Sequence, residues 1–216
     1  MSLISNKRSV MTLFTNKMCS YCHQVRIVLA EKGIVVEFVE VDLDNKPEEL
    51  WELNPYGTVP TLVDRDMVLY EAGIIQEYLE ERFPHPPLMP IYPVARARNR
   101  LMRWRVEQDW YTHMNRYYRS NSKKEQESAR QELLGSLLSV AAVFTDQPYF
   151  LSEEFTLIDC SLAPLLWRLP HMGIKLPEVE GKSIIKYMKR IFERESIHAS
   201  LTDAEREIRE SEMVGR

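Results

Sequence analysis

The run Gly57-Thr58-Val59-Pro60-Thr61-Leu62-Val63 constrains this 216-residue chain more than any other stretch. Its β-branched and apolar residues ask for a strand, yet Pro60 has no amide to give to a sheet ladder. A proline in such a run belongs at the first residue of a strand or in a special turn, and a cis Val59–Pro60 bond suits that place. The amide and carbonyl just before it are then left outside the ladder, where an extended peptide can pair with them.

The segments around it alternate in type. Residues 9–14 read as a short strand. After a loop at 15–18, Cys19-Ser20-Tyr21-Cys22 opens a helix with apolar positions at Cys22, Val25 and Val28 or Leu29, ended by Gly33. Residues 35–41 read as a second strand with Glu37 and Glu40 on its less buried positions. A short helix over 46–53 leads into loop chemistry at Asn54-Pro55-Tyr56-Gly57. Residues 60–63 and 67–70 form two strands joined by the polar turn Asp64-Arg65-Asp66, and residues 71–82 are helical. The order β-α-β-α-β-β-α over about eighty residues is that of a thioredoxin-like domain.

The next eleven residues, Phe83 to Pro93, contain five prolines. They cannot be helix and read as a stiff, extended connector. Beyond them the period becomes helical throughout. Met102, Val106, Trp110, Met114 and Tyr117 form one apolar stripe, and Leu133, Leu134, Leu137, Leu138 and Ala141 another. Thr156 caps a further helix, with Asp159 reaching back from its third position. Residues 184–192 make an amphipathic helix, and 203–212 a charged, exposed one. The length exceeds one typical domain of roughly 100–150 residues. The division that follows is a thioredoxin-like domain over 1–83, a proline-rich linker over 84–93, and a helical domain over 94–216.

Composition excludes several classes. A net charge of −4 gives no global pull toward nucleic acid. No run approaches the roughly 20 apolar residues of a membrane span, and the polar stretch 1–8 does not read as a secretory leader. Three cysteines, with Cys160 far from Cys19 and Cys22, resemble neither a disulfide framework nor a structural zinc site, which points to the cytoplasm.

The thioredoxin-like half, the Val59-Pro60 turn, the acidic Glu71 and the Thr156-x-x-Asp159 box together resemble the glutathione S-transferase superfamily. Longer blocks narrow this to the stringent starvation protein A family: Asn6-Lys7-Arg8-Ser9-Val10-Met11-Thr12-Leu13-Phe14, the whole stretch from His23 to Gly33, the proline linker, and Leu162-Ala163-Pro164-Leu165-Leu166-Trp167-Arg168-Leu169-Pro170. The resemblance implies a two-domain glutathione S-transferase fold, a homodimer, and a bacterial protein that associates with RNA polymerase holoenzyme and its sigma factor without catalysing a reaction. It also implies that the partner-binding surface is the linker patch Pro84, His85 and Pro86, with Tyr92. Val59, Pro60, Glu71 and Ala72 are then the remnant of a glutathione site.

The residues themselves also carry a rival. Cys19-Ser20-Tyr21-Cys22 is spaced as a glutaredoxin-type dithiol, and a helix start favours a thiolate at Cys19. That reading makes the protein a glutathione-dependent thiol transferase with Cys19 and Cys22 catalytic and glutathione as cofactor. Its bland counterpart has Cys22 as a small core residue and Cys19 left on the surface. Against the enzyme stands Ala72: where transferases place a serine after the acidic residue, this chain offers no hydroxyl. Arg96, Arg98, Arg100, Arg103 and Arg105 form a basic run in an otherwise acidic chain. Its ordinary meaning is solvated helix surface paired with neighbours such as Glu107, so direct sequence-specific nucleic-acid binding is not expected. No metal-ligand spacing occurs.

Overall fold

A computed structural model describes residues 10–213 of the chain. Residues 1–9, and with them the reading of 1–8 as no leader and the start of the first predicted strand, lie outside the described residues. The chain divides into two compact units. The first comprises the residues through Pro86 together with Ala199–Glu205; the second comprises Pro87–His198 and the residues from Arg206 onward.

The first unit is built on a four-stranded mixed sheet in the order β2-β1-β3-β4, formed by β1 (Thr12–Thr15), β2 (Glu37–Glu40), β3 (Thr61–Asp64) and β4 (Met67–Tyr70). β1 runs parallel to β2 and antiparallel to β3, with Leu13 opposite Phe38 on one side and Leu62 on the other. Side chains alternate across a strand, so Phe14 and Val63 share one face. There Phe14 joins Val41 and Leu50, the last from α2 (Glu48–Leu53). Leu13 and Leu62, on the opposite face, are completely buried. α1 (Ser20–Glu31) and α3 (Ala72–Arg82) pack against each other through buried residues such as Val25, Val28, Ile75 and Leu79. Gly33, at φ +62°, takes the left-handed conformation that ends α1.

Two strand readings need correction. Within the described residues the first strand begins at Thr12, so Val10 and Met11, read as strand, precede it. In β2 the exposed apolar residue is Phe38, while Glu37 is half-buried. β2 is an edge of the sheet, so its outer positions meet solvent whatever their type.

A buried polar cluster closes this unit. His23 and Arg26 of α1 meet Glu205 at the start of α10 (Asp203–Met213). Arg26 Nη2 lies 2.6 Å from Glu205 Oε2, and His23 Nδ1 lies 3.5 Å from Oε1. His23 Nε2 is 3.1 Å from Ser200 Oγ, and Arg26 Nε donates to the Ser200 carbonyl at 2.9 Å. The Ser200–His23–Glu205 chain has the connectivity of a hydrolase triad, but all three residues are buried, so it serves as a clasp. The expectation that residues 203–212 form a plain exposed helix therefore fails at Glu205, which is fully enclosed.

The second unit contains α4 (Pro93–Val106), a π-helical turn (Glu107–Tyr111), α5 (Thr112–Arg119), α6 (Lys123–Ser139), a 3-10 turn (Ala141–Phe144), α7 (Leu157–Arg168), α8 (Lys182–Phe192) and α9 (Glu195–Ser200), whose last two residues belong to the first unit. α7 is buried on every side. Its first turn carries the anticipated capping box: Thr156 accepts from the Ile158 amide at 3.2 Å, and Asp159 Oδ2 accepts from the Thr156 amide at 2.8 Å. Trp110, Phe144, Phe150 and Tyr187 form an aromatic cluster beside it. Among the described residues no helix is long and apolar enough to cross a membrane.

Candidate functional site

Cys19 is the N-cap of α1, and its Sγ accepts from the Cys22 amide at 3.4 Å. The Val59–Pro60 bond is cis and brings the Val59 carbonyl to 3.9 Å from Cys19 Sγ. The predicted proline turn and the predicted dithiol thus converge on one spot. The two cysteines are not equivalent, however. Cys19 is half-buried, whereas Cys22 is completely enclosed and its Sγ faces the Asn16 amide at 3.4 Å. Burial, and next the hydrogen bond that the Cys22 thiol gives to Cys19, hold the Cys22 thiol well above its ordinary pKa. A thiol so held is a poor resolving nucleophile.

The other part of the suspected glutathione remnant lies at the start of α3. Glu71 is exposed and caps nothing with its side chain, and it sits at φ +71°. Ala72, next to it, is buried. Glu71 retains a carboxylate for an amine, but Ala72 supplies no hydroxyl for a carboxylate. The residues present therefore suit the backbone of an extended peptide at Val59 and lack half of a γ-glutamyl clamp.

The proline segment is held more firmly than its composition alone implies. The Lys32 side chain is enclosed, and its ammonium reaches three oxygens at once. It pairs with Glu80 at 2.6 Å and donates to the carbonyls of Phe83 at 2.6 Å and Pro86 at 2.9 Å. Pro84, His85 and Pro86 are left exposed between these anchors, and the His85–Pro86 bond is cis. Sequence reasoning missed Lys32, which reads as an ordinary cation at a helix C-terminus. In the helical unit Tyr92 is 76% exposed, while Leu88 and Met89, at first sight part of the same strip, are buried.

The basic run does not behave as one surface. Arg105 pairs with Asp109 at 3.1 Å, and Arg103 is buried. Arg96 donates to the Pro90 carbonyl at 3.4 Å. Trp104 stands out in solvent, whereas Trp110 and Tyr111 belong to the core.

With this geometry in view, known proteins can be compared. Residues 13–87 match the glutathione S-transferase N-terminal domain family and residues 101–195 the C-terminal domain family. A glutathione transferase Omega 3C from Trametes versicolor superposes with a TM-score of 0.79 at 27% identity, over 93% of both chains. The architecture is therefore that of a glutathione S-transferase. Sequence similarity is higher to two stringent starvation protein A homologs. That of Haemophilus influenzae is 55% identical over 94% of this chain and 96% of its own, and that of Coxiella burnetii 52% over 94% and 97%. The chain belongs to the stringent starvation protein A family.

Proposed function

We propose that the protein is a non-catalytic regulator of transcription in the stress or starvation response, docking on RNA polymerase holoenzyme and its sigma factor. Pro84, His85 and Pro86 form the contact, with Tyr92, exposed in its own unit, as a further one. The observation that carries this reading is the Pro84–Pro86 strip, exposed and pinned at both ends by buried Lys32. A segment with little conformational freedom left gives up little entropy on binding. It can present one shape both free and bound. The choice of partner rests on what resemblance to the stringent starvation protein A family implies, and the cytoplasm is the compartment proposed with it.

The thiol-transferase alternative has thinner support. Its resolving thiol, Cys22, is enclosed, and its glutathione would lack the hydroxyl absent at Ala72. A lost hydrogen bond to a charged group amounts to about 1.5–3 kcal/mol, one to two decades in affinity.

Replacing Pro84, His85 and Pro86 together by alanine tests the proposal. The variant is expected to stay within about 1 kcal/mol of the wild type in stability, as surface changes do, and to lose co-purification with RNA polymerase. A folded triple variant that brings down as much polymerase as the wild type would place the contact elsewhere.

A further inference from the structure

Cys19 and Cys22 stand one helical turn apart, and the function proposed above uses neither. Cys19 is half-buried at the N-cap of α1, while Cys22, in its first turn, is completely enclosed. The Cys22 amide donates to Cys19 Sγ at 3.4 Å, and the Cys22 thiol gives a hydrogen bond of its own to Cys19. Cys22 Sγ in turn accepts from the Asn16 amide at 3.4 Å, which fixes it in place. The two sulfurs are therefore already partners, and only one of them meets solvent. An amide at a helix start favours negative charge on the sulfur that it faces. Cys160, the third cysteine, is enclosed in the helical unit.

We infer that Cys19 and Cys22 are a peroxide-responsive pair, in which hydrogen peroxide oxidises Cys19 and the product closes a disulfide with Cys22. Cys19 Sγ attacks one oxygen of the peroxide and the O–O bond breaks. An S–OH group forms, and the other oxygen leaves as hydroxide and becomes water with the Cys19 proton. Cys22 Sγ then attacks Cys19 Sγ. The S–S bond forms as the S–O bond breaks, and the departing hydroxide takes the Cys22 proton to give a second water. Each sulfur has lost one electron and the peroxide has gained two.

The enclosure of Cys22 decides which chemistry the pair can do. Burial and the contact with Cys19 keep its proton in place. Against a mixed disulfide, which carries no oxygen to take that proton, such a thiol is slow. A sulfenic acid brings the missing base in its own hydroxyl oxygen, and the two sulfurs need no encounter in solution. In the reverse direction Cys22 is a poor leaving group, because a thiol of high pKa departs slowly. The closed disulfide thus registers peroxide and reopens slowly, where a thiol transferase would turn over. This role goes beyond docking and does not depend on it.

The test starts from the fully reduced full chain, exposed to submillimolar hydrogen peroxide and then to catalase. The chain is next unfolded in an alkylating agent and mapped by mass spectrometry. The peptide carrying Cys19 and Cys22 is expected to have lost two hydrogens and to resist alkylation until it is reduced, while Cys160 is alkylated. In Cys22→Ser the S–S bond cannot close, so dimedone should capture Cys19 as a sulfenic acid several-fold more than in the wild type. Should Cys22→Ser fail to fold, Cys19→Ser replaces it and should keep Cys22 reduced at the dose that cross-links the wild type. With glutathione and glutathione reductase, the wild type should consume peroxide no faster than buffer does. The inference is overturned if Cys22 is alkylated in full after peroxide, if Cys160 is cross-linked in its place, or if peroxide consumption with glutathione is sustained.

Discussion

Asp159 carries two loads. Its carboxylate completes the cap of α7, and it also ties the preceding loop and α8 to that helix, accepting from the Phe150 amide at 3.0 Å and the Tyr187 hydroxyl at 2.6 Å. Complete burial raises its pKa from 3.8 to about 6, against the opposing pull of the hydrogen bonds from Tyr187, Phe150 and Thr156. A carboxyl whose pKa is higher in the fold than in the unfolded chain favours folding when protonated. That contribution is complete below 3.8 and is lost as the pH rises through about 6. At neutral pH the protein thus holds a buried carboxylate at a penalty of up to about 3 kcal/mol. Between about pH 7.5 and pH 5 the wild type should gain roughly 1 kcal/mol relative to Asp159→Asn, which has no proton to take up. Urea unfolding of both proteins at the two values measures this, and parallel pH profiles would refute it. The cap itself was readable from Thr156 and Asp159, three residues apart. The roles of Phe150 and Tyr187 were not, because they come from distant turns.

Among the elements, α10 departs most from its appearance. Its sequence is charged and reads as a solvated helix, yet its first turn enters the core of the thioredoxin-like unit. The Thr202 amide donates to Glu205 Oε2 at 3.0 Å, and the Glu205 amide to Thr202 Oγ1 at 3.2 Å. The spacing Thr202-x-x-Glu205 is that of a capping box. What the spacing could not reveal is that the same carboxylate neutralises buried Arg26. Glu205→Leu leaves that guanidinium enclosed and unpaired, and breaking a buried pair in this way costs about 3–5 kcal/mol. Adding Arg26→Leu to Glu205→Leu should recover a good part of the loss, because both charges are then gone. Denaturant midpoints of the wild type, the single variant and the double variant decide the matter. A double variant less stable than the single one would mean that the pair is not coupled.

For the whole molecule the open question is assembly. α4 exposes Val94, Leu101 and Trp104, spaced so that they share a stripe along the helix, and Trp104 is 58% exposed. Large apolar side chains gathered on one face mark an interaction surface. We propose that this stripe forms the two-fold interface of a homodimer, the commonest closed symmetry. Leu101→Arg would set like charges against each other across the axis. The variant should run as a folded monomer in size-exclusion chromatography at micromolar concentrations where the wild type runs as a dimer. Unchanged elution, or a monomeric wild type, would exclude this face.

Much of the molecule was decided within short windows of sequence. Pro60 lacks an amide whatever surrounds it, Gly33 accepts the left-handed conformation cheaply, and Thr156 caps the helix that starts beside it. Such features follow from covalent geometry and neighbours a few residues away, so the order of elements along the chain and the proline turn could be anticipated. Tertiary structure alone decided which polar groups would be enclosed. Lys32 meets the Phe83 carbonyl across 51 residues, and Arg26 meets Glu205 across 179. Phe38 faces solvent because its strand is an edge. Burial and pairing over such separations depend on the closure of the whole chain, to which the local hydrophobic period is blind.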